Sequence, residues 1–326
     1  MLLIRGSGPP NITASSFGHE TYFLLCQGFI RAGIFDQAII LYLNSQTDRI
    51  VEHRLTREIK LIQSPSNDIL NQEYFDFVFI RAEFQEYPHF LKNIKWGKLG
   101  FYLAQSRVLP QIINPKLIDI IYINHPSEKR LVKLKYPHIK TRVLDKPVDD
   151  KIFRPQNLTK KYDICCLANF RPRKHFTMLY EAINKLPNHK NLKIVVNGNL
   201  FMSGYDAQML AGEYELDITY TGLVDIKQVA KYLNQSKFNV LASKLEGNPR
   251  ALYESIACNT PILINSEMTS GTQLVNRYTG VKAKLWEFDK ALVYMLKNYK
   301  KFKPYEYFKQ ELTLEKIINK LSIDLK

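Results

Sequence analysis

Two glutamates eight residues apart, Glu246 and Glu254, lie in the part of this sequence with the most potential for chemistry. An apolar run ends at Ala242, a turn follows at 247–249, and a helical pattern begins at Arg250. The first carboxylate is therefore predicted at a strand-to-helix junction, where helix N–H groups lack partners and the helix dipole is positive. The second lies about two turns further along, near the same helix face, because eight residues at ~100° each return close to the start.

Such a junction suits an anionic ligand that also carries hydroxyl groups. Free N–H groups at a helix start bind phosphate. Gly247 lets the backbone approach a ligand closely, and Pro249 fits the first helical turn because no N–H is needed there. Carboxylates repel phosphate, so Glu246 and Glu254 are expected to contact hydroxyls, as a sugar ligand requires. The ordinary alternative is a glutamate that complements the helix dipole and a second one that is solvated.

A second set of charged residues follows an apolar run at 162–167. Arg171, Arg173 and Lys174 fall within four positions, just before a predicted helix. Guanidinium groups bind phosphate in a bidentate manner, and lysine binds it as a point charge. A short basic turn is also common as a solvated loop. At the carboxyl end of a strand, however, it would face the ligand crevice of an α/β sheet.

The elements that must position these residues alternate along the whole chain. Strand-length apolar runs at 2–5, 37–43, 75–80, 98–103 and 118–123 alternate with helical patterns such as 19–32. The second half repeats the scheme, with strands predicted at 162–167, 192–196, 238–242 and 261–264 and helices at 177–186, 226–234 and 250–258. This alternation predicts parallel sheets covered on both faces. The 326 residues suffice for two domains, and two prolines and mixed charge at 146–155 indicate the linker between them.

Charge and cysteine content restrict the class of partner and compartment. The net charge is +15, and residues 1–145 hold 18 Lys and Arg against 13 Asp and Glu, so the excess is spread over both halves. Nucleotide diphosphates, anionic lipid surfaces and nucleic acid would all fit this charge. We do not expect nucleic acid, because no known binding module is present. The four cysteines lie in apolar segments without a C-x-x-C pair, which favours buried thiols, a cytoplasmic protein and no metal site.

The segment from Glu246 to Ile264 resembles the E-x7-E motif of retaining GT-B glycosyltransferases of the glycosyltransferase 4 type, E-G-x-P-x-x-x-x-E-A-x-A-x-G-x-P. Ser255 stands where the motif has Ala. Asn259 stands where it has Gly, and Asn tolerates the left-handed conformation that Gly commonly supplies. The basic turn is similar to the family's G-R-(x)n-P-x-K-G element, in which Lys174 matches the Lys. The Arg position is occupied by Asn169, and Arg171 or Arg173 is the candidate replacement.

The resemblance implies an α/β, GT-B fold in which two Rossmann-like, doubly wound parallel-sheet domains face each other across a cleft. Residues 1–145 would form the acceptor domain and residues 146–300 the nucleotide-sugar donor domain. Residues 301–326 would form a C-terminal helix that either stays peripheral or crosses back to the first domain.

The resemblance also implies an activity, namely retaining transfer of a hexosyl group from a UDP- or GDP-type sugar to a glycan or lipid-linked acceptor. No metal or other cofactor is expected, and no convincing D-x-D loop occurs. Glu246, near the reacting carbon, and Lys174 are the expected catalytic residues, and Glu254 would bind the ribose. The donor phosphates would be held by a further set of residues: Arg171, Arg173, Gly247, Asn248, Pro249 and Arg250.

Three matters stay open at this level. The loop Gly6–Pro10 occupies the place of the family's acceptor-side loop without its usual G-G pair. A basic cluster indicates either a solvated helix face or a peripheral contact with an anionic membrane or acceptor: Lys129, Arg130, Lys133, Lys135, Lys140 and Arg142. Asn169 also motivates a second hypothesis, a catalytically decayed protein of the same fold that binds nucleotide sugars or serves as a scaffold.

Overall fold

The chain divides into two units. In the computed structural model, unit 1 comprises Met1–Pro147 together with Leu314–Lys326, and unit 2 comprises Val148–Thr313. The structure describes residues 1–5, 20–43, 49–66, 69–81, 87–103, 112–199, 201–202 and 205–325. The predicted loop at 6–18, including Gly6–Pro10, lies outside these residues.

The strands are β1 (Leu2–Arg5), β2 (Ala38–Leu43), β3 (Val51–Arg54), β4 (Ile59–Ser64), β5 (Tyr74–Arg81), β6 (Lys95–Tyr102), β7 (Ile120–Ile123), β8 (Lys140–Val143), β9 (Tyr162–Leu167), β10 (Ile194–Asn197), β11 (Phe201–Met202), β12 (Tyr205–Asp206), β13 (Ile218–Gly222), β14 (Ser236–Leu241), β15 (Ile262–Asn265) and β16 (Gly280–Ala283). The α-helices are α1 (Thr21–Arg31), α2 (Tyr87–Leu91), α3 (Glu128–Lys135), α4 (Phe176–Asn184), α5 (Ala207–Glu213), α6 (Ile226–Gln235), α7 (Arg250–Ala257), α8 (Phe288–Asn298), α9 (Pro304–Tyr307) and α10 (Leu314–Ser322). Within the described residues, no helix is both long and apolar enough to cross a bilayer.

Unit 1 is built on an eight-stranded sheet of order β3-β4-β2-β1-β5-β6-β7-β8. All neighbouring pairs are parallel except β3 and β4, which are antiparallel. Successive side chains of β1 enter different cores: Leu3 packs on one face of the sheet, and Leu2 and Ile4 pack on the other. The prediction of a parallel sheet covered on both faces is therefore confirmed. The edge strands β3 and β8 have no counterpart in the prediction, because their partly polar sequences lack an apolar run, and β4 was not predicted either.

Unit 2 contains a six-stranded, wholly parallel sheet of order β13-β10-β9-β14-β15-β16. Counted from its first strand this order is 3-2-1-4-5-6, the doubly wound arrangement of dinucleotide-binding folds. The predicted strands at 162–167, 192–196, 238–242 and 261–264 all occur, within two residues at either end. All four cysteines are buried and unpaired, as expected.

The C-terminal segment is broken rather than continuous. Lys303 is non-helical, and Pro304 starts α9, because proline lacks an N–H and keeps the preceding residue out of the helical region. A π-helical turn at Phe308–Leu312 follows, and α10 then begins at Leu314. A single helix over 301–326 was therefore an incorrect expectation for this stretch.

Helix α10 and the residues that follow it pack within unit 1. Ile318 of α10 approaches α1 so closely that a Cβ on Gly28 would lie 2.5 Å from its Cγ1, so this contact needs glycine. Asp324 is buried and accepts two hydrogen bonds from Arg142 of β8, at 2.5 Å from Nε and 2.9 Å from Nη2. Lys140 lies 3.7 Å from the same carboxylate. Two members of the basic cluster therefore have a structural role within unit 1.

We predict that Asp324→Asn destabilises unit 1 by about 2 kcal/mol, because it removes a charged, bidentate partner of Arg142. Urea unfolding followed by circular dichroism measures this change. The control is Lys190→Gln, which breaks the exposed pair with Glu215 and should leave the free energy of unfolding nearly unchanged, because water screens the two charges. Equal effects of the two substitutions would contradict the assigned role of Asp324.

Candidate functional site

A cavity of about 570 Å³ opens at the carboxyl ends of the strands in unit 2. Chain connections leave neighbouring strands β9 and β14 in opposite directions, and ligands of open α/β sheets bind at such a switch point. The lining comes from the ends of β9, β10 and β14 and from the segments that follow them: Leu167, Ala168, Asn169, Arg173, Lys174, Asn197, Gly198, Leu223, Val229, Leu241, Glu246, Asn248, Pro249, Arg250, Ala251 and Glu254. The volume is typical of a small-molecule site.

Lys174 and Glu246 form an ion pair at this cavity. Their side chains are 11% and 8% exposed, so the pair is largely shielded from water. Shielding strengthens the attraction between the two charges, and it makes either charge costly if the other is removed. The two predicted catalytic residues, 72 positions apart in the sequence, are thus brought together.

Glu254 lies in the first turns of α7, with the Arg250 guanidinium Nε 3.9 Å from its Oε1. Burial raises the pKa of the Glu254 carboxyl to about 7, and the charge of Arg250 opposes part of this rise. Within the lining, the charges of Lys174 and Glu246 cancel. Arg173 and Arg250 supply the remaining positive charge. The cavity therefore carries a net positive charge while keeping two carboxyl groups, which suits a ligand with both phosphates and hydroxyls.

Thr269 holds the backbone of Glu246. Its hydroxyl accepts a hydrogen bond from Glu246 N at 2.8 Å and donates one to Glu246 O at 2.5 Å. Thr269 N also donates to Lys244 O at 3.0 Å, so the loop after β14 is fixed on both sides of Leu245. The loop after β15 therefore sets the position of the first carboxylate.

A buried hydrogen-bond chain connects the two central strands to α7. Asn239 of β14 accepts from Leu167 N at the end of β9, at 3.4 Å, and donates to Ser255 Oγ at 2.8 Å. Ser255 Oγ in turn donates to Ala251 O at 2.6 Å. Ser255, which replaces the Ala of the family motif, thus gives the buried Asn239 amide an acceptor, as a buried polar group requires.

The basic turn after β9 is bounded by a hydrogen bond to the side chain of Asn169 and by a left-handed residue, His175. Asn169 accepts a hydrogen bond from Asn199 N at 2.9 Å, so its side chain holds the loop after β10. His175, at the position of the final Gly in the family's basic element, adopts a left-handed conformation with φ of 52°. Gly198 has φ of +146°, and a Cβ there would lie 2.4 Å from Ala168 O. The close approach of these two loops therefore depends on Gly198.

Most of the predicted site residues lie together. Arg173, Lys174, Glu246, Asn248, Pro249, Arg250 and Glu254 all line the cavity. Arg171 precedes the short 3-10 turn Pro172–Lys174, and Arg171 and Gly247 lie outside the lining. Asn259 has φ of 56°, which confirms the prediction that it supplies the left-handed residue after α7.

The sequence analysis missed several residues of the site. Asn197 and Gly198 form an Asn-Gly dipeptide at the end of β10, and such a dipeptide is a turn signal. Leu223 and Val229 line the cavity beyond β13. Thr269 carries no local signal, because it contacts Glu246 from 23 positions away.

One family model matches this chain, and the match falls within unit 2. Residues 148–303 match the model of the glycosyl transferases group 1 family, which covers nearly all of unit 2. A search of curated proteins found no match. The family match supports glycosyl transfer as the class of activity.

Solved structures resemble the chain over its whole length. Sucrose-phosphate synthase from Thermosynechococcus elongatus has a TM-score of 0.74 at 13% identity, covering 99% of this chain and 97% of that one. The apo lipopolysaccharide outer core galactosyltransferase WaaB has a TM-score of 0.74 at 12% identity, with coverages of 99% and 98%. The Anabaena protein HepE in complex with UDP and glucose has a TM-score of 0.67 at 12% identity, also with coverages of 99% and 98%. At such low identities the likeness concerns the fold, and it confirms the predicted GT-B class.

We predict that Thr269→Val loosens the loop that carries Glu246, because it removes both hydrogen bonds to that backbone while keeping the shape of the side chain. Hydrogen–deuterium exchange of peptides covering 244–249 should speed up at least about tenfold, the effect of losing roughly 1.4 kcal/mol of local protection. Thr269→Ser keeps the hydroxyl and should exchange like the wild type. Unchanged exchange in the Val variant would show that other contacts fix the loop.

Proposed function

We propose that the chain is a retaining, metal-independent glycosyltransferase of the glycosyltransferase 4 type that uses a nucleoside-diphosphate sugar. The carrying observation is that Lys174, Arg173, Arg250, Glu246 and Glu254 converge on one cavity at the switch point of unit 2. The group 1 family match over 148–303 supports the activity, and the UDP and glucose in HepE support a UDP-type donor. The proposed acceptor is a hydroxyl of a glycan or a lipid-linked glycan.

The cations of the site serve the leaving group. As the bond between the anomeric carbon and the β-phosphate oxygen breaks, negative charge grows on the diphosphate. Lys174, Arg173 and Arg250 lie in the lining with the start of α7, where the helix dipole is positive. Fixed positive groups in a shielded site stabilise such developing charge better than water does.

Glu246 is proposed to orient the donor sugar rather than attack it. Its carboxylate is engaged by Lys174 in an ion pair, which suits a group that orients the sugar better than one that attacks it. The acceptor oxygen then bonds to the anomeric carbon on the face that the leaving group vacates. The acceptor proton passes to the departing phosphate oxygen, so configuration is retained without a covalent intermediate.

Glu254 is proposed to bind the ribose hydroxyls. It lines the cavity in the first turns of the helix whose start meets the phosphates, and a carboxylate accepts two hydroxyl hydrogen bonds. Arg250 has a double role in this proposal, because it contacts phosphate and favours the ionised form of Glu254.

Asn169 favours a second candidate, a decayed protein that binds the donor without turning it over. Its side chain is engaged by Asn199 N and adds no charge to the cavity. Calorimetry with the donor, combined with a turnover assay over a panel of acceptors, separates the two functions. Donor binding without any transfer would favour the decayed protein.

We predict that Lys174→Met and Glu246→Gln each lower kcat by about 10²–10³-fold, the range measured when one stabilising group of a transition state is lost. Each substitution keeps the shape of the side chain and removes the charge, so thermal melting checks that the fold persists. Lys185→Ala, at the exposed end of α4, serves as the matched control and should keep full activity. Wild-type turnover in both site variants with normal melting would refute the assignment.

We predict that donor binding strengthens as pH rises through about 7, because Glu254 is ionised above its raised pKa and the ionised form accepts the ribose hydroxyls. Between pH 6 and 8 the ionised fraction changes from about one tenth to about nine tenths, so the Kd should fall up to ~9-fold. The donor for this measurement carries the nucleotide that raises the melting temperature most among UDP, GDP, ADP and CMP.

Glu254→Gln is the control for this pH dependence. Its Kd should not change between pH 6 and 8, since the amide does not titrate. Stability depends on pH in the opposite direction to donor binding. The folded pKa of Glu254 lies above the unfolded value of about 4.3, so the free energy of unfolding of the wild type falls as pH rises from there through 7. The Gln variant should lose this dependence as well. A wild-type Kd that is independent of pH would contradict the role of Glu254.

A further inference from the structure

A second cavity of unit 2 lies at the edge of the sheet opposite the first cavity, which holds Glu246. Pro155 precedes β9 and Asn259 precedes β15, so both lie on the side where the parallel strands begin, whereas the first cavity opens where they end. The volume of about 570 Å³ is again typical of a small-molecule site. We call it the lysine cavity, and its lining consists of Pro155, Asn259, Lys300, Phe302, Lys303, Tyr305, Glu306 and Lys309.

Breaks in the C-terminal segment bring the lysines of this cavity together. Lys300 and Lys309 are nine positions apart, and in one continuous α-helix steps of ~100° would put them on opposite faces. Instead, Lys303 is non-helical, Pro304 starts α9, and Lys309 lies in the π-helical turn Phe308–Leu312. Such π-helical turns are rare and occur frequently at functional sites. The irregular backbone thus places three lysines on one cavity.

The lysine cavity carries a net positive charge. Glu306 is the acidic residue of its lining, and Glu306 Oε1 lies 3.6 Å from Lys303 Nζ, so the charges of this pair cancel. Lys300 and Lys309 form no ion pair within the part of the chain that the structure describes. The Nζ atom of Lys309 lies instead 5.6 Å from the centre of the Tyr305 ring. Two cations therefore line the cavity without a carboxylate partner.

Aromatic rings form another part of the lining. Phe302 and Tyr305 are partly exposed, and the Tyr305 ring is stacked on the buried Phe308 with 5.9 Å between the ring centres, which holds the tyrosine in place. The backbone is fixed as well, because Tyr305 N donates to Asn259 Oδ1 at 3.1 Å. Aromatic side chains stack on ring-shaped groups, and lysine binds phosphate as a point charge. The lining therefore suits a ligand that has both a ring and a phosphate group.

We propose that the lysine cavity binds a small phosphate ester whose organic part contains a ring, either a sugar phosphate or a nucleoside monophosphate. The phosphate contacts Lys300 and Lys309, and the ring packs on Phe302 and Tyr305. A phosphate ester carries a charge of about −1.5 to −2 at pH 7 and so balances two lysines, whereas one carboxylate would balance a single lysine. The site is separate from the proposed transfer reaction, since the two cavities share no lining residue.

Calorimetry on the full chain tests the proposal with three probes, namely ribose-5-phosphate, AMP and inorganic phosphate. The two probes with a ring should bind at least about tenfold more tightly than inorganic phosphate, because burial of roughly 55 Å² of apolar surface gives that factor. The tighter of the two ring-bearing probes distinguishes a nucleotide ligand from a sugar phosphate. Equal binding of all three probes, or no binding of either ring-bearing probe, overturns the proposal.

Two variants locate the binding and separate its two contributions. Lys300→Met with Lys309→Met keeps both side chains long and removes their charge, so the affinity for ribose-5-phosphate and AMP should fall at least about tenfold, as the loss of hydrogen bonds from charged groups implies. Phe302→Leu removes a ring but keeps an apolar side chain, so it should weaken only the binding of the ring-bearing probes. Thermal melting checks that both variants fold. Unchanged binding in the lysine variant would place the ligand elsewhere and overturn the proposal.

Matched controls separate this site from the first cavity and from a general attraction to anions. Lys185→Met with Lys290→Met removes two exposed lysines of unit 2 that line neither cavity, and it should bind every probe like the wild type. Lys174→Met alters the first cavity and should leave ribose-5-phosphate binding unchanged. Loss of that binding in the Lys174 variant would place the ligand in the first cavity. Heparin that binds more tightly than the ring-bearing probes, and only while Lys300 and Lys309 are present, would show a polyanion surface. Either result overturns the proposal.

Discussion

The shielded ion pair between Lys174 and Glu246 is the interaction around which unit 2 is arranged. A charge that is nearly removed from water is tolerated only where its partner is held in place, so both loops that carry these residues must be rigid. Thr269 fixes the backbone of Glu246 with two hydrogen bonds. The basic turn that carries Lys174 is closed by the left-handed His175, directly before α4. The contacts of Thr269 and the turn at His175 thus hold the two opposite charges together.

The parallel sheet supplies the frame for this pair. Because β9 and β14 are neighbours and run in the same direction, their carboxyl ends deliver the two loops to the same edge. Asn239 secures this arrangement from within, since its side chain reaches both Leu167 N and Ser255. Ser255 acts on the helix as well, through Ala251 O. One buried amide therefore sets the end of a central strand relative to the helix that carries Glu254.

The sequence was informative where local rules determine structure. Apolar runs predicted five of the eight strands of the first sheet and four of the six strands of the second, because a parallel strand is buried on both faces. Asn259 was identified as a left-handed residue from its place in the motif. The grouping of Glu246, Glu254 and Lys174 could be anticipated because strand ends in such sheets converge. Thr269 and Asp324 could not be anticipated, since their roles depend on contacts between distant segments. The break in the C-terminal helix was also not predicted, because the apolar spacing continues beyond Pro304.

Asn169 and Arg250 together bear on the positive charge of the cavity. The family places an arginine at this position, where Asn169 instead accepts from Asn199 N and so fixes the loop beside Gly198. Arg250, which also lines the cavity, supplies a positive charge at the start of α7. In the proposed enzyme, the diphosphate meets a cation at the start of α7, whereas the resemblance places one in the turn after β9. Arg250 also lies beside Glu254, so in the proposed enzyme this position links phosphate binding to the ionisation of the residue that contacts the ribose.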